Sequence, residues 1–175
     1  MEKVNPYVEC PIYETESFIF RLVEENDAKD LFECYSDIEA VKFMNSDTCI
    51  NNFYYTTMQE MRNCIRFWLD CYASGGFVRL CIIDKKEIKS VGTIEIFGGE
   101  YGVLRIDILP VYEKEKYINE ILDLSIKNFY DAFDIKNIVI KAIPSATERL
   151  SALKNFHFEA DMQFRPNMDY YFRKQ

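Results

Sequence analysis

Between Leu104 and Phe133 the chain reads LRIDILP, then VYEKEKY, then INEILDLSIKNFYDAF: an apolar strand, a proline, a short charged loop and a long two-faced helix. No other stretch constrains the fold as much, because a strand that feeds a helix and then a second strand needs a parallel crossover. The same order leaves the unpaired first-turn amides and the positive end of the helix dipole facing the loop, which makes an anion site. On the helix, Ile118, Ile121, Leu122, Ile126, Phe129, Tyr130 and Phe133 share one face, with Asn119, Asp123 and Lys127 outside it. About four turns of helix separate Leu109 from the next apolar strand, Asn137 to Ile143.

The flanking segments build a sheet around this unit. Residues 1–16 read as an irregular arm rich in Glu and Pro, and 17–175 as one domain. Ser17 to Val23 is a strand, with Asn26 and Asp27 as caps for a helix marked by Leu31, Phe32, Tyr35 and Ile38. A polar link, NSDTCINN, precedes a helix carrying Met58, Met61, Ile65, Trp68, Leu69 and Tyr72 on one stripe, stopped at Ser74, Gly75 and Gly76. Phe77 to Ile83, Ile88 to Phe97 and Tyr101 to Leu109 form a meander, since their short connections require antiparallel neighbours. After the crossover come Pro144, a helix over Ser145 to Asn155, and a hairpin of FEADMQF and MDYYFRK turning at Arg165, Pro166 and Asn167. The expected class is α+β (α/β by some schemes): a mixed, mostly antiparallel sheet of about six or seven strands flanked by about four helices.

Composition narrows the function. At 175 residues, with 49% hydrophobic content, the chain buries a full core. A formal charge of −8 argues against a nucleic-acid partner, which needs basic surface to neutralise phosphates. The six cysteines include no CxxC pair, and in a chain with no signal peptide they read as buried free thiols. The start, MEKVNPYVEC, has no apolar leader and no run approaches membrane-spanning length, so a cytoplasmic location and no membrane partner are expected. His157 is the only histidine, which leaves nothing for a multi-histidine metal site or a Ser-His-Asp triad; no metal is expected.

The order of elements, the closing stretch ALKNFHFEADM and the opening FIFRLVEENDAKDLFECYSD together resemble the GCN5-related N-acetyltransferase (GNAT) family, in its ribosomal-protein and small-substrate branch. The resemblance covers roughly residues 17 to 173. It implies acetyl-CoA lying in a V between the strands equivalent to Tyr101–Leu109 and Asn137–Ile143, with pantetheine on the backbone of Ile106, Ile108 and Leu109. The diphosphate would sit on the loop and first turn, Glu113, Lys114, Glu115, Lys116, Tyr117, Ile118 and Asn119. The family loop usually reads Gln/Arg-x-x-Gly-x-Gly/Ala, because small residues let backbone close on phosphate. Aligning Pro110 and Glu120 with the family's Pro and Glu places Glu113, Lys116 and Ile118 at those three positions, and all depart. Two outcomes stay open: Lys114 and Lys116 replace amide contacts with ammonium contacts, or the coenzyme site is lost.

Acetyl transfer needs a deprotonated amine and a donor for the departing thiolate. Glu95 and Asp107 are the candidate bases on central strands, against which stands a structural ion pair of Asp107 with Arg105 on the same face. The family's thiolate-donating Tyr falls at Leu153 and its alternative Ser near Arg149, leaving Ser151 as the candidate donor if the helix register differs. His157, where the family has Gly, reads as a helix cap. Phe53, Tyr54 and Tyr55 are core or the wall of an acceptor pocket. The resemblance thus implies an acetyl-CoA-dependent N-acetyltransferase acting on a primary amine of a small molecule or a peptide N-terminus, and is compatible with a homodimer. The alternative is a non-catalytic binding or regulatory module on the same fold that has lost acetyl-CoA.

Overall fold

A computed structural model describes residues 5–175. In chain order the elements are β1 (Tyr13–Glu14), β2 (Phe18–Leu22), α1 (Ala28–Tyr35), α2 (Ile38–Val41), α3 (Met58–Ala73), β3 (Val78–Asp84), β4 (Lys89–Ile96), β5 (Tyr101–Ile108), α4 (Glu115–Phe133), β6 (Asn137–Lys141), α5 (Thr147–Asn155), β7 (Glu159–Ala160) and β8 (Tyr170–Lys174). The strands form one sheet in the order β1-β2-β3-β4-β5-β6-β8-β7, antiparallel except for β5 beside β6. The mixed sheet and parallel crossover are as expected.

Eight strands and five helices exceed the expected counts. The extra strand is β1, where Tyr13 and Glu14 of the arm pair with Phe20 and Ile19. The extra helix is α2, a separate turn started by the Asp37 side chain accepting from the Glu39 amide. The closing hairpin is shorter than its alternation suggested. After Ala160 the Asp161 carboxylate accepts from the amides of Gln163, Phe164 and Arg165, and those bonds replace a strand ladder.

Each face of the sheet carries its own core. On one side α4 lays Ile118, Ile121, Leu122, Phe129 and Phe133 against Phe18, Leu80, Ile94, Leu104, Ile106 and Ile108. Burying each such side chain contributes about 1.5–3 kcal/mol, so packing rather than propensity holds this helix. On the other side α1 and α3 place Leu31, Tyr35, Met61, Ile65 and Trp68 against Cys81. α3 begins with a reciprocal capping box between Thr57 and Glu60. Strand alternation turns Arg79, Glu95, Arg105 and Asp107 towards this second face, and the register sets Arg79 opposite Glu95 and Glu95 opposite Arg105.

Candidate functional site

The parallel ladder between β5 and β6 lasts for three pairs, Tyr101 with Asn137, Gly102 with Ile138 and Val103 with Val139. Beyond them the strands part, and one side chain enters the gap. Arg149 of α5 is 2% exposed. It donates through Nη2 to the Ile106 carbonyl at 3.0 Å and through Nη1 to the Phe43 carbonyl at 3.2 Å. Its Nε and Nη2 also grip the Glu113 carboxylate at 2.8 and 2.7 Å, a bidentate pair. Nearby, Lys141 Nζ donates to both carboxylate oxygens of Asp47, at 2.8 and 2.9 Å.

The N-terminus of α4 is likewise occupied from within. The Glu115 amide donates to the Glu148 carboxylate at 2.8 Å, so a side-chain anion sits where the helix dipole favours negative charge. The amides of Glu113 and Lys114 are spent on the carbonyls of Pro110 and Tyr112, and those of Tyr117 and Ile118 on Lys114. The Glu115 carboxylate accepts from Ser151 Oγ at 2.6 Å and Asn155 Nδ2 at 2.8 Å, bonds that lower its pKa. Lys114 is exposed, with Nζ 3.9 Å from Glu148. Lys116 lies over the Tyr117 ring at 4.3 Å, and Tyr117 packs on Phe18 and Tyr112.

The remaining residues of the expected coenzyme path are structural in their surroundings. Ile106, Ile108 and Ile118 are buried in the core, Leu109 donates its amide to the Val91 carbonyl, and Asn119 keeps a buried Oδ1 without a partner. A coenzyme that paired with Ile106 and laid its diphosphate on the α4 amides would have to displace Arg149 and Glu148. In this arrangement Arg149 and Glu148 hold the groups through which a coenzyme would be bound.

The carboxylates singled out as bases are held by arginines. Glu95, 1% exposed, accepts from both Arg79 and Arg105. Burial pushes its pKa up, but the two guanidinium groups outweigh that and hold it below the usual carboxylate value. Asp107 Oδ2 accepts from Arg79 Nη1 at 2.9 Å and from the Tyr35 hydroxyl at 2.7 Å. The ion pair expected between Arg105 and Asp107 is therefore replaced by an Arg79–Glu95–Arg105 ladder, with Asp107 on Arg79. At Gly92 the backbones of β4 and β5 approach closely: a Cβ there would stand 2.1 Å from the Asp107 carbonyl oxygen. Ser151 is on the opposite side, bound to Glu115.

Above the ladder lies a cavity of about 690 Å³, walled by Phe53, Tyr54, Tyr55, Phe67, Trp68 and Phe77. Phe53 and Tyr55 are both core and wall, being 5% and 6% exposed. The Arg79 guanidinium stacks over Trp68 at 4.1 Å. His157 takes φ of 58° just after α5, where its amide bonds the Lys154 carbonyl, so it caps the helix. Among the described residues no cluster of His, Cys, Asp and Glu could hold a metal, all six cysteines are free, and no helix is long and apolar enough to cross a membrane.

Arg149, Glu148 and Arg79 were the residues that sequence reasoning left without a role. The available signal was the pair of departures at Glu113 and Arg149, opposite charges where the resembled family has Gln or Arg and, near the second, Ser.

No protein-family profile and no curated protein sequence matches the chain. Solved structures do match. An acetyltransferase of the GNAT family from Bacillus anthracis aligns with a TM-score of 0.70 and 17% identity over 94% of this chain and 98% of that one. RimL, a ribosomal L7/L12 α-N-protein acetyltransferase in complex with coenzyme A, gives 0.74 and 13% over 94% and 98%. An acetyltransferase from Salmonella typhimurium that modifies the N-terminal serine of ribosomal protein L7/L12 gives 0.71 and 13% over 94% and 99%. The chain therefore has the GNAT fold, a fold that supports acetyl transfer and whose solved examples include a coenzyme A complex.

Proposed function

We propose that this chain is a non-catalytic binding module on the GNAT fold, with its coenzyme groove closed by its own side chains and its ligand site in the aromatic cavity over the arginine ladder. The observation that carries the reading is Arg149, held by Glu113 and bonded to the Ile106 carbonyl in the gap between β5 and β6. Glu148 on the α4 amide adds to it, as an internal anion in the place a diphosphate would take. Neither Glu95 nor Asp107 is free to take a proton from an amine, because each is ion-paired to Arg79.

A second reading keeps the enzyme: an acetyl-CoA-dependent N-acetyltransferase for a primary amine of a small molecule or a peptide N-terminus. The parting of β5 and β6 after Val103 favours it, as do the fold matches. It requires Arg149 and Glu148 to withdraw from the groove. Thermal unfolding with acetyl-CoA and with coenzyme A separates the two. A ligand at about 100 times its dissociation constant stabilises the folded state by about 2.7 kcal/mol, roughly 5–11 °C for a domain of this size. The module reading predicts no shift, and a shift of that size for the unaltered protein would overturn it.

A further inference from the structure

One wall of the cavity over the ladder is a stretch of chain with little to hold it. Thr48, Cys49, Ile50 and Asn51 line the cavity from the link between α2 and α3, and Trp68 lines it from α3. The two ends of the stretch are fixed. Met44 and Asn45 are buried, Asn45 donates to the Tyr170 hydroxyl at 3.0 Å, and Phe53 belongs to the core under α1 and α3. Between them Thr48, Ile50, Asn51 and Asn52 are exposed, Ile50 to 98%. Thr48 and Phe53 bracket the segment with φ of 65° and 62°, left-handed values that a β-branched or bulky side chain adopts only under restraint.

That restraint comes from one residue. From Ser46 to Tyr54 the chain makes a single backbone–backbone hydrogen bond, from the Cys49 amide to the Ser46 carbonyl. Among the described residues, every hydrogen bond from this segment to a residue outside 45–55 passes through Asp47. Its carboxylate accepts from Lys141 Nζ of β6 at 2.8 and 2.9 Å and from the Tyr170 hydroxyl of β8 at 3.1 Å. Its carbonyl accepts from Arg105 Nη2 of β5 at 3.1 Å, and Arg105 in turn holds Glu95 on the cavity floor. Three strands thus meet the segment at one point. A stretch with few buried apolar side chains and few backbone hydrogen bonds opens more readily than the core it covers.

We propose that residues 48–53 are a strap over the aromatic cavity, latched through Asp47 to Lys141, Tyr170 and Arg105, and that release of this latch opens the cavity to its ligand. Met44 and Phe53 stay in the core as the fixed ends, while Thr48 to Asn52 swing away from Trp68. The inference deepens the binding-module reading and rests on it for the identity of the site. The latch itself does not depend on which ligand enters.

Two groups report the opening. Cys49 rides on the strap, and Trp68, the only tryptophan of the chain, lines the cavity beneath it. Asp47→Ala removes the bonds to Lys141 and Tyr170. It should speed labelling of Cys49 by N-ethylmaleimide, mapped by mass spectrometry, by about tenfold or more, since the rate follows the population of the open form. Quenching of Trp68 emission by the neutral quencher acrylamide should rise with it. Cys34 and Cys81, both 0% exposed in the core, should keep their parental rates. If Asp47→Ala does not fold, Lys141→Met, which leaves the Tyr170 bond, should produce the same pattern to a smaller extent. An unchanged Cys49 rate, unchanged quenching of Trp68, or equal acceleration of Cys34 and Cys81 would each overturn the latch and leave the module reading standing. Acetyl-CoA binding to the unaltered protein would overturn the module reading instead, whatever the labelling rates show.

Discussion

Replacing Arg149 by Met tests whether the groove is closed by a structural ion pair. The guanidinium is 2% exposed and makes bonds to Glu113, Ile106 and Phe43. Its loss leaves the Glu113 carboxylate, 7% exposed, and the Ile106 carbonyl without partners in a low-dielectric setting. Breaking one side of a buried pair costs about 3–5 kcal/mol. For a domain of this length that is a fall in Tm of roughly 6–20 °C. Removing both charges is different, because apolar groups of similar volume often replace a buried pair with little loss. Glu113→Leu combined with Arg149→Met should therefore be more stable than Arg149→Met alone, with a coupling of about 2 kcal/mol or more. Urea unfolding followed by circular dichroism and Trp68 emission measures all of these. A single variant within about 1 kcal/mol of the parent, or a double variant whose losses simply add, would refute the reasoning.

Three other outcomes follow from the same contacts. Glu95 has a folded pKa below its ordinary value, so its contribution is complete above about pH 4.3 and is lost as pH falls through that lower value. The stability gap between the parent and Glu95→Gln should narrow as acid unfolding is followed below about pH 4, and a gap independent of pH would contradict the ladder. Glu148→Gln should cost about 0.3–1 kcal/mol by weakening the charge at the α4 N-terminus, read from urea midpoints; no change would remove Glu148 from that role. Burial pushes the Cys10 and Cys64 thiols up to about 11, so at neutral pH alkylation of both, mapped by mass spectrometry, should be slower than that of a free thiol by on the order of 10²-fold. Ordinary rates at either would argue against their burial.

What could be read from the chain was local. The stripe on α4 and the apolar run of β5 declare themselves because each buries one face and so carries a period. The end of the hairpin did not, since Asp161 captures three amides that alternation would assign to a strand. Arg79 was hidden in VRLCIID, where a cation among apolar residues gives no hint that three strands will align it with Glu95 and Arg105. The pairing of Glu113 with Arg149 spans 36 positions and exists only once α5 packs on the start of α4. The missing glycines of the loop were legible, but what replaced them was tertiary.

The central claim is that this groove is already filled from within. Calorimetric titration of the unaltered protein with acetyl-CoA, carried to about 1 mM ligand, tests it most directly. The account predicts no heat beyond dilution. A saturating isotherm with a micromolar dissociation constant, weakened by Lys114→Glu or Lys116→Glu, would contradict it and return the chain to the transferases.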